Sequence, residues 1–133
     1  MNSLNFIEKY KSLKNDDDKI DFLSCFFEGK LNINLDIYNL LIEELDNHQV
    51  LDEFLVVKII KVLSRFYNDF SDTTRDIIFN VFLTTEEDLV QQHSLLELEF
   101  KQFSKEQIEI LKEKINDADE DLQPIIESIL ERQ

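Results

Sequence analysis

The chain has 133 residues, only Gly29 and Pro124 represent glycine and proline, and 29 acids against 14 bases leave a net charge of −15. Sheet-rich folds draw on glycine for turns with positive φ, so one glycine excludes β-sandwiches, barrels and phosphate-cradling Gly-rich loops. The charge excludes binding to DNA, RNA or an anionic membrane through general electrostatics, while a 43% hydrophobic content with eleven Phe is enough for a core.

Apolar residues recur at three- and four-residue spacing almost throughout, which is helical periodicity. Leu4, Ile7, Tyr10 and Leu13 predict a first helix over about residues 3–14. Asn15 or Asp16 caps a second, with Ile20, Leu23, Phe26 and Phe27, and Gly29 stands where a helix-ending glycine belongs. Asn34 caps a third, with Ile37, Tyr38, Leu41, Ile42 and Leu45. A longer fourth runs from about Val50 to Asn68 through Leu51, Phe54, Leu55, Ile59, Val62, Leu63 and Phe66. Ser71 or Asp72 opens a fifth with Ile77, Ile78, Val81 and Phe82, and Thr85 a sixth with Leu89, His93, Leu96 and Phe100. Ser104 and Gln107 have capping-box spacing ahead of Ile108, Leu111 and Ile115. An eighth helix follows Asp119–Asp121, with Pro124 in its first turn, where a missing N–H costs nothing, and Ile125, Ile126, Ile129 and Leu130 on its face. No segment reads as a strand, so the expectation is an all-α protein.

Paired, these helices start near residues 3, 35, 72 and 105, a spacing of about 32 to 37, the range of helical hairpins that stack into solenoids. Asp72-Thr73-Thr74-Arg75, followed by Ile77, Ile78, Val81 and Phe82, resembles the Asp-x-x-Arg start of a HEAT-repeat helix. Asp16 to Phe27, with Lys19 in the basic place, resembles it more loosely. This similarity to HEAT or armadillo-like repeats implies a single domain, 1–133, of about eight short helices forming four stacked antiparallel hairpins, a HEAT-like α-solenoid. Repeat prolines are missing and Ala118 is the only alanine, so a compact irregular helical bundle is the alternative.

Stacked hairpins would place the turns inside them along one edge and the turns between them along the other. The first set is acidic: residues 15–21 and 46–53 each carry −3, residues 84–90 carry −3, and residues 117–121 carry −4. Windows 29–36, 68–75 and 101–106 on the other edge sum to zero. Acids favour helix N-termini, but both edges hold helix starts, so dipoles alone do not account for the asymmetry. The candidate partner-binding residues are therefore Asp16, Asp17, Asp18, Asp52, Glu53, Glu86, Glu87, Asp88, Asp119, Glu120 and Asp121.

Catalytic and metal signatures are nearly empty. His48 and His93, each one helical turn from a glutamate (Glu44 and Glu97), give too few ligands for structural zinc. His93 is expected at the edge of a packing stripe, and His48 near a helix C-terminus, where partial positive charge is favourable. Asp117–Asp121 opens like a calcium loop, but Leu122 replaces its glycine and Pro124 and Ser128 occupy later positions. Cys25, beside Phe26 and Phe27, reads as a packing residue, and as the sole cysteine it excludes an intrachain disulfide. Phe22, Phe26, Phe54, Phe66, Phe79, Phe82 and Phe100 read as core; Phe70 and Phe103, at helix ends, are expected to be partly exposed.

Met1–Tyr10 lacks a signal-peptide pattern, and Lys58 and Lys61 interrupt the longest apolar stretch, Phe54–Leu63. A cytoplasmic, non-catalytic protein without cofactors or metals is expected, binding neither nucleic acid nor membrane. Its size, acidity and helical content resemble bacterial immunity proteins and antitoxins, which implies a basic partner such as a nuclease toxin, occluded by complementary charge. The alternative is a HEAT-like scaffold or adaptor binding a protein or peptide on its concave face.

Overall fold

The computed structural model describes residues 2–29 and 31–133; Met1 and Lys30, the base of the 29–36 window, lie outside the described residues. Among those described, the chain forms eight α-helices and no strand: α1 (Ser3–Ser12), α2 (Asp16–Leu23), α3 (Leu35–Asp46), α4 (Glu53–Phe66), α5 (Asp72–Thr84), α6 (Asp88–Leu98), α7 (Lys105–Lys114) and α8 (Gln123–Glu131). Short 3-10 turns follow α2 (Ser24–Phe26) and α3 (His48–Val50).

Local chemistry sets most boundaries. Side-chain oxygens of Asn2, Asn15, Asn34, Asp52, Ser71 and Ser104 accept backbone N–H groups at the starts of α1, α2, α3, α4, α5 and α7. Ser104 and Gln107 form the expected reciprocal capping box. Pro124 occupies the first turn of α8. Thr85 accepts from Glu87 N–H at 3.1 Å, so it shapes the turn before α6 rather than capping the helix. Gly29 adopts φ +72°, a conformation L side chains rarely adopt, and ends the segment after the 3-10 turn rather than α2 itself. The predicted fourth helix is trimmed at both ends: Val50 belongs to the preceding 3-10 turn, and Asp52 is the cap.

The helices pack as a bundle with a regular order. Three sequential pairs pack together, α3 with α4, α5 with α6 and α7 with α8; beyond these, α1 meets α3, α3 meets α5, α2 meets α4, α4 meets α6 and α6 meets α8. Side-chain hydrogen bonds repeat that order. Tyr10 Oη donates to Glu44 (2.8 Å), Tyr38 Oη pairs with Thr74 Oγ1 (2.8 Å) and Gln107 Nε2 donates to Asp76 (2.7 Å), at sequence separations of 34, 36 and 31. Arg75 bonds Asp76 within α5 and also reaches Gln102 O (3.0 Å), in the link to the next hairpin.

One continuous apolar cluster runs through all eight helices. Phe6 is at its first end, against Phe22 (4.8 Å between ring centroids) and Phe26 (5.3 Å). Several sequence expectations need correction here. Phe6, not Leu4, anchors α1, and Leu4 is exposed. Phe54 and Phe100, expected in the core, are 58% and 71% exposed, and Phe27 is also exposed. Of the α6 stripe Leu89–His93–Leu96–Phe100, the first two are half-buried and Leu96 and Phe100 are exposed, while Val90, Leu95 and Leu98 are buried. Phe103 is buried rather than partly exposed, its ring 5.9 Å from that of Phe79.

Candidate functional site

The acidic turns inside the first three hairpins are tied directly to one another. Asp52 N–H donates to Asp16 Oδ2 at 2.7 Å, joining the first turn to the second. Gln49 Nε2 donates to Thr84 O (3.1 Å) and His48 Nε2 meets Thr84 Oγ1 (2.9 Å), joining the second to the third. Because Thr84 Oγ1 donates its own proton to Asn80 O (2.8 Å), it accepts from His48, whose Nε2 therefore carries hydrogen. The Glu53 and Glu87 carboxyls also approach each other across these turns, closely enough to perturb Glu53. The fourth turn contributes Asp117 and Asp119 to a cleft of about 390 Å³ that also includes Gln91 of α6 and Lys114 of α7.

Of the expected binding residues, Asp17, Asp18, Asp52, Glu86, Glu87, Asp88, Asp119, Glu120 and Asp121 are exposed. Asp16 and Glu53 are half-buried, the two whose side chains reach neighbouring turns. None of these carboxylates forms an ion pair among the described residues: the acids in such pairs are Glu44, Asp72, Asp76, Glu97 and Glu109, of which Glu44, at the end of α3, takes Lys19 of the first turn. The approach of Glu87 raises the Glu53 carboxyl above its ordinary value, with partial desolvation and the charges of Glu87 and Asp52 adding to the effect. Two carboxylates so placed must share a proton or repel. The edge carries many more acids than bases, Lys19 being the one cation within its four turns.

A smaller cleft of about 240 Å³ opens between the second and third turns, lined by His48, Glu53, Val56, Glu86, Glu87 and Val90 among others. Sequence reasoning missed His48 here. It is buried in its 3-10 turn, and burial lowers its pKa, so the partial positive charge expected at a helix end gives way to a neutral ring. The glutamates spaced from the histidines are engaged elsewhere, Glu44 by Tyr10 and Lys19, Glu97 by Ser64 and Arg65. No group of three or more His, Cys, Asp and Glu fit to hold a metal occurs among the described residues. Cys25 is half-buried against the core. No helix among the described residues is long and apolar enough to cross a membrane.

The chain matches no protein-family model, no curated protein and no solved structure.

Proposed function

We propose that the chain is a non-catalytic inhibitor of immunity or antitoxin type, whose acidic edge occludes the basic cleft of a partner protein such as a nuclease toxin. The observation that carries this is the gathering of exposed carboxylates from three mutually bonded turns whose one cation, Lys19, is engaged by Glu44 instead, with Glu53 and Glu87 close enough to perturb each other. A cleft built to hold phosphates presents Lys and Arg, and a row of carboxylates supplies the complementary charge. Docking relieves the repulsion along the edge and raises the encounter rate towards about 10⁸ M⁻¹s⁻¹ at low salt. The order of the hairpins, with side-chain bonds between equivalent helices at separations of 31 to 36 residues, supports a HEAT-like repeat as the frame that aligns the turns.

The test is affinity capture at low salt with the immobilised full chain beside a variant in which Asp17, Asp18, Glu86 and Glu87 become Asn and Gln. A protein of pI above about 9 is expected on the first column and not on the second, eluting below about 0.5 M salt, where screening shortens the reach of each charge to a few ångströms. A partner that survives both the substitutions and that salt would remove charge complementarity as the mechanism.

A further inference from the structure

The outward face of the even-numbered helices has the opposite character to the edge. On α4 the residues Phe54, Lys58, Lys61 and Arg65 fall at i, i+4, i+7 and i+11, one stripe of the helix, and none is buried. The matching positions of α6 and its end are Leu89, His93, Leu96 and Phe100, again without a buried member. Although this second stripe has core periodicity, only its first half is partly covered, Leu89 by the core; Leu96 and Phe100 are exposed.

The two stripes lie side by side. Arg65 Nη2 is 2.7 Å from Glu97 Oε1, and Ser64 Oγ donates to Glu97 Oε2 at 3.0 Å. Burial disfavours the charged form of the His93 ring, and Lys61 and Arg65 add to this while Glu97 opposes it. The face continues to both sides: Lys58 Nζ donates to Ser24 Oγ (2.9 Å) and stands 4.6 Å from the Phe27 ring centroid, and Arg132 lies 4.4 Å from that of Phe100. The acid on this α4–α6 seam, Glu97, is already held by Ser64 and Arg65. Lys61 forms no ion pair among the described residues.

We infer that the α4–α6 face is a second docking surface, one that takes a short acidic segment of a partner protein with bulky apolar side chains. Carboxylates of the segment meet Lys58, Lys61 and, at the far side, Arg132; its apolar side chains cover Leu96 and Phe100. The net −15 of the chain does not oppose this, because charges beyond about 8 Å are screened at physiological salt and the local cations decide. A nucleic acid is disfavoured: its long phosphate row would extend past these few cations into the field of the acidic turns. This surface is independent of the acidic edge, and either can fail without the other.

The experiment titrates the isotope-labelled full chain with three probes and follows amide shifts: a pool of short peptides of Asp, Glu, Phe and Leu, a matched pool with Lys and Arg for the acids, and oligothymidylate. Shifts at Lys61, Arg65, Leu96 and Phe100 are expected with the acidic pool, with roughly tenfold weaker binding in Lys61→Glu and in Leu96→Ser. Far-UV circular dichroism shows whether each variant keeps its helices; if Lys61→Glu does not, Leu96→Ser decides. The basic pool is expected to shift Asp17 and Glu86 instead and to bind Lys61→Glu no more weakly. Absence of α4–α6 shifts at millimolar acidic peptide overturns the inference, as do unchanged affinities in folded variants or tighter binding of oligothymidylate at the same residues.

Discussion

Replacing Arg75 by Met tests how the hairpins are held together, and burial rather than bond length sets the expected cost. Arg75 is 8% exposed and donates to Gln102 O at 3.0 Å while pairing with Asp76 (2.9 Å) and Asp72 (3.4 Å). The charge-assisted bond to the carbonyl is worth about 1.5 kcal/mol. The two carboxylates are well exposed, 55% and 89%, so each ion pair adds no more than about 0.5 kcal/mol. Methionine keeps most of the aliphatic packing, and Gln107 still holds Asp76, which leaves a loss of about 2 kcal/mol. At roughly 2.1 cal/mol/K per residue over 133 residues, that lowers Tm by about 7 °C. Arg65 makes the shorter contact, 2.7 Å to Glu97, but its side chain is half exposed, and Arg65→Met is expected to cost about 1 kcal/mol or less. Urea unfolding followed by circular dichroism measures both, with an unchanged m-value as the check on two-state behaviour. A loss below about 0.5 kcal/mol for Arg75→Met, or a larger loss for Arg65→Met, refutes the assignment of Arg75 as the link to the last hairpin.

The remaining predictions concern protons and packing. Because Glu53 is raised above its ordinary 4.5, its favourable contribution is present below that pH and lost as pH rises through the folded value. Glu53→Gln, whose amide donates to Glu87 without needing a proton, is therefore expected to raise Tm at pH 7, with the difference closing as pH falls to about 4; a lower Tm at pH 7 contradicts it. Burial lowers His48 below 6.5, so its contribution is present above that pH and lost as pH falls through the folded value. His48→Gln should thus show a shallower loss of urea midpoint on acidification than the parent chain, the comparison cancelling the general relief of negative charge; equal slopes count against a buried neutral ring. Phe26→Ala, which empties a site against Phe6 and Phe66, should cost about 3–5 kcal/mol, whereas Phe100→Ala should cost about 0.5 or less; similar values for the two would reverse the assignment of inside and outside.

Helix positions were legible because short-range chemistry fixes them. Asn34, Ser104 with Gln107, and Pro124 each act on the nearest turn of backbone, and each does in the structure what its spacing implies. Which face turns inward was less legible, since it depends on neighbours that spacing does not name. Helix α1 carries two overlapping apolar series, and Phe6 prevails over Leu4 because Phe22 and Phe26 meet it from α2 and its 3-10 turn. Helix α6 packs on α4, α5 and α8 together, so its buried residues occupy several sides and the regular stripe through Leu96 is the one left over. The burial of His48 was hidden for the same reason: Thr84, 36 residues away, supplies its partner. For the edge, the clustering of acids was visible in the sequence, but the effect of Glu87 on Glu53 depends on how closely the second and third turns approach.

The most direct measurement is the association rate of the captured basic partner with the full chain as a function of salt, beside the variant lacking the Asp17, Asp18, Glu86 and Glu87 charges. Occlusion by the acidic edge predicts a rate that falls at least about tenfold between 50 mM and 500 mM salt, and a variant that is both slow and nearly insensitive to salt. A rate that is the same for both proteins, or flat across that range, would contradict it.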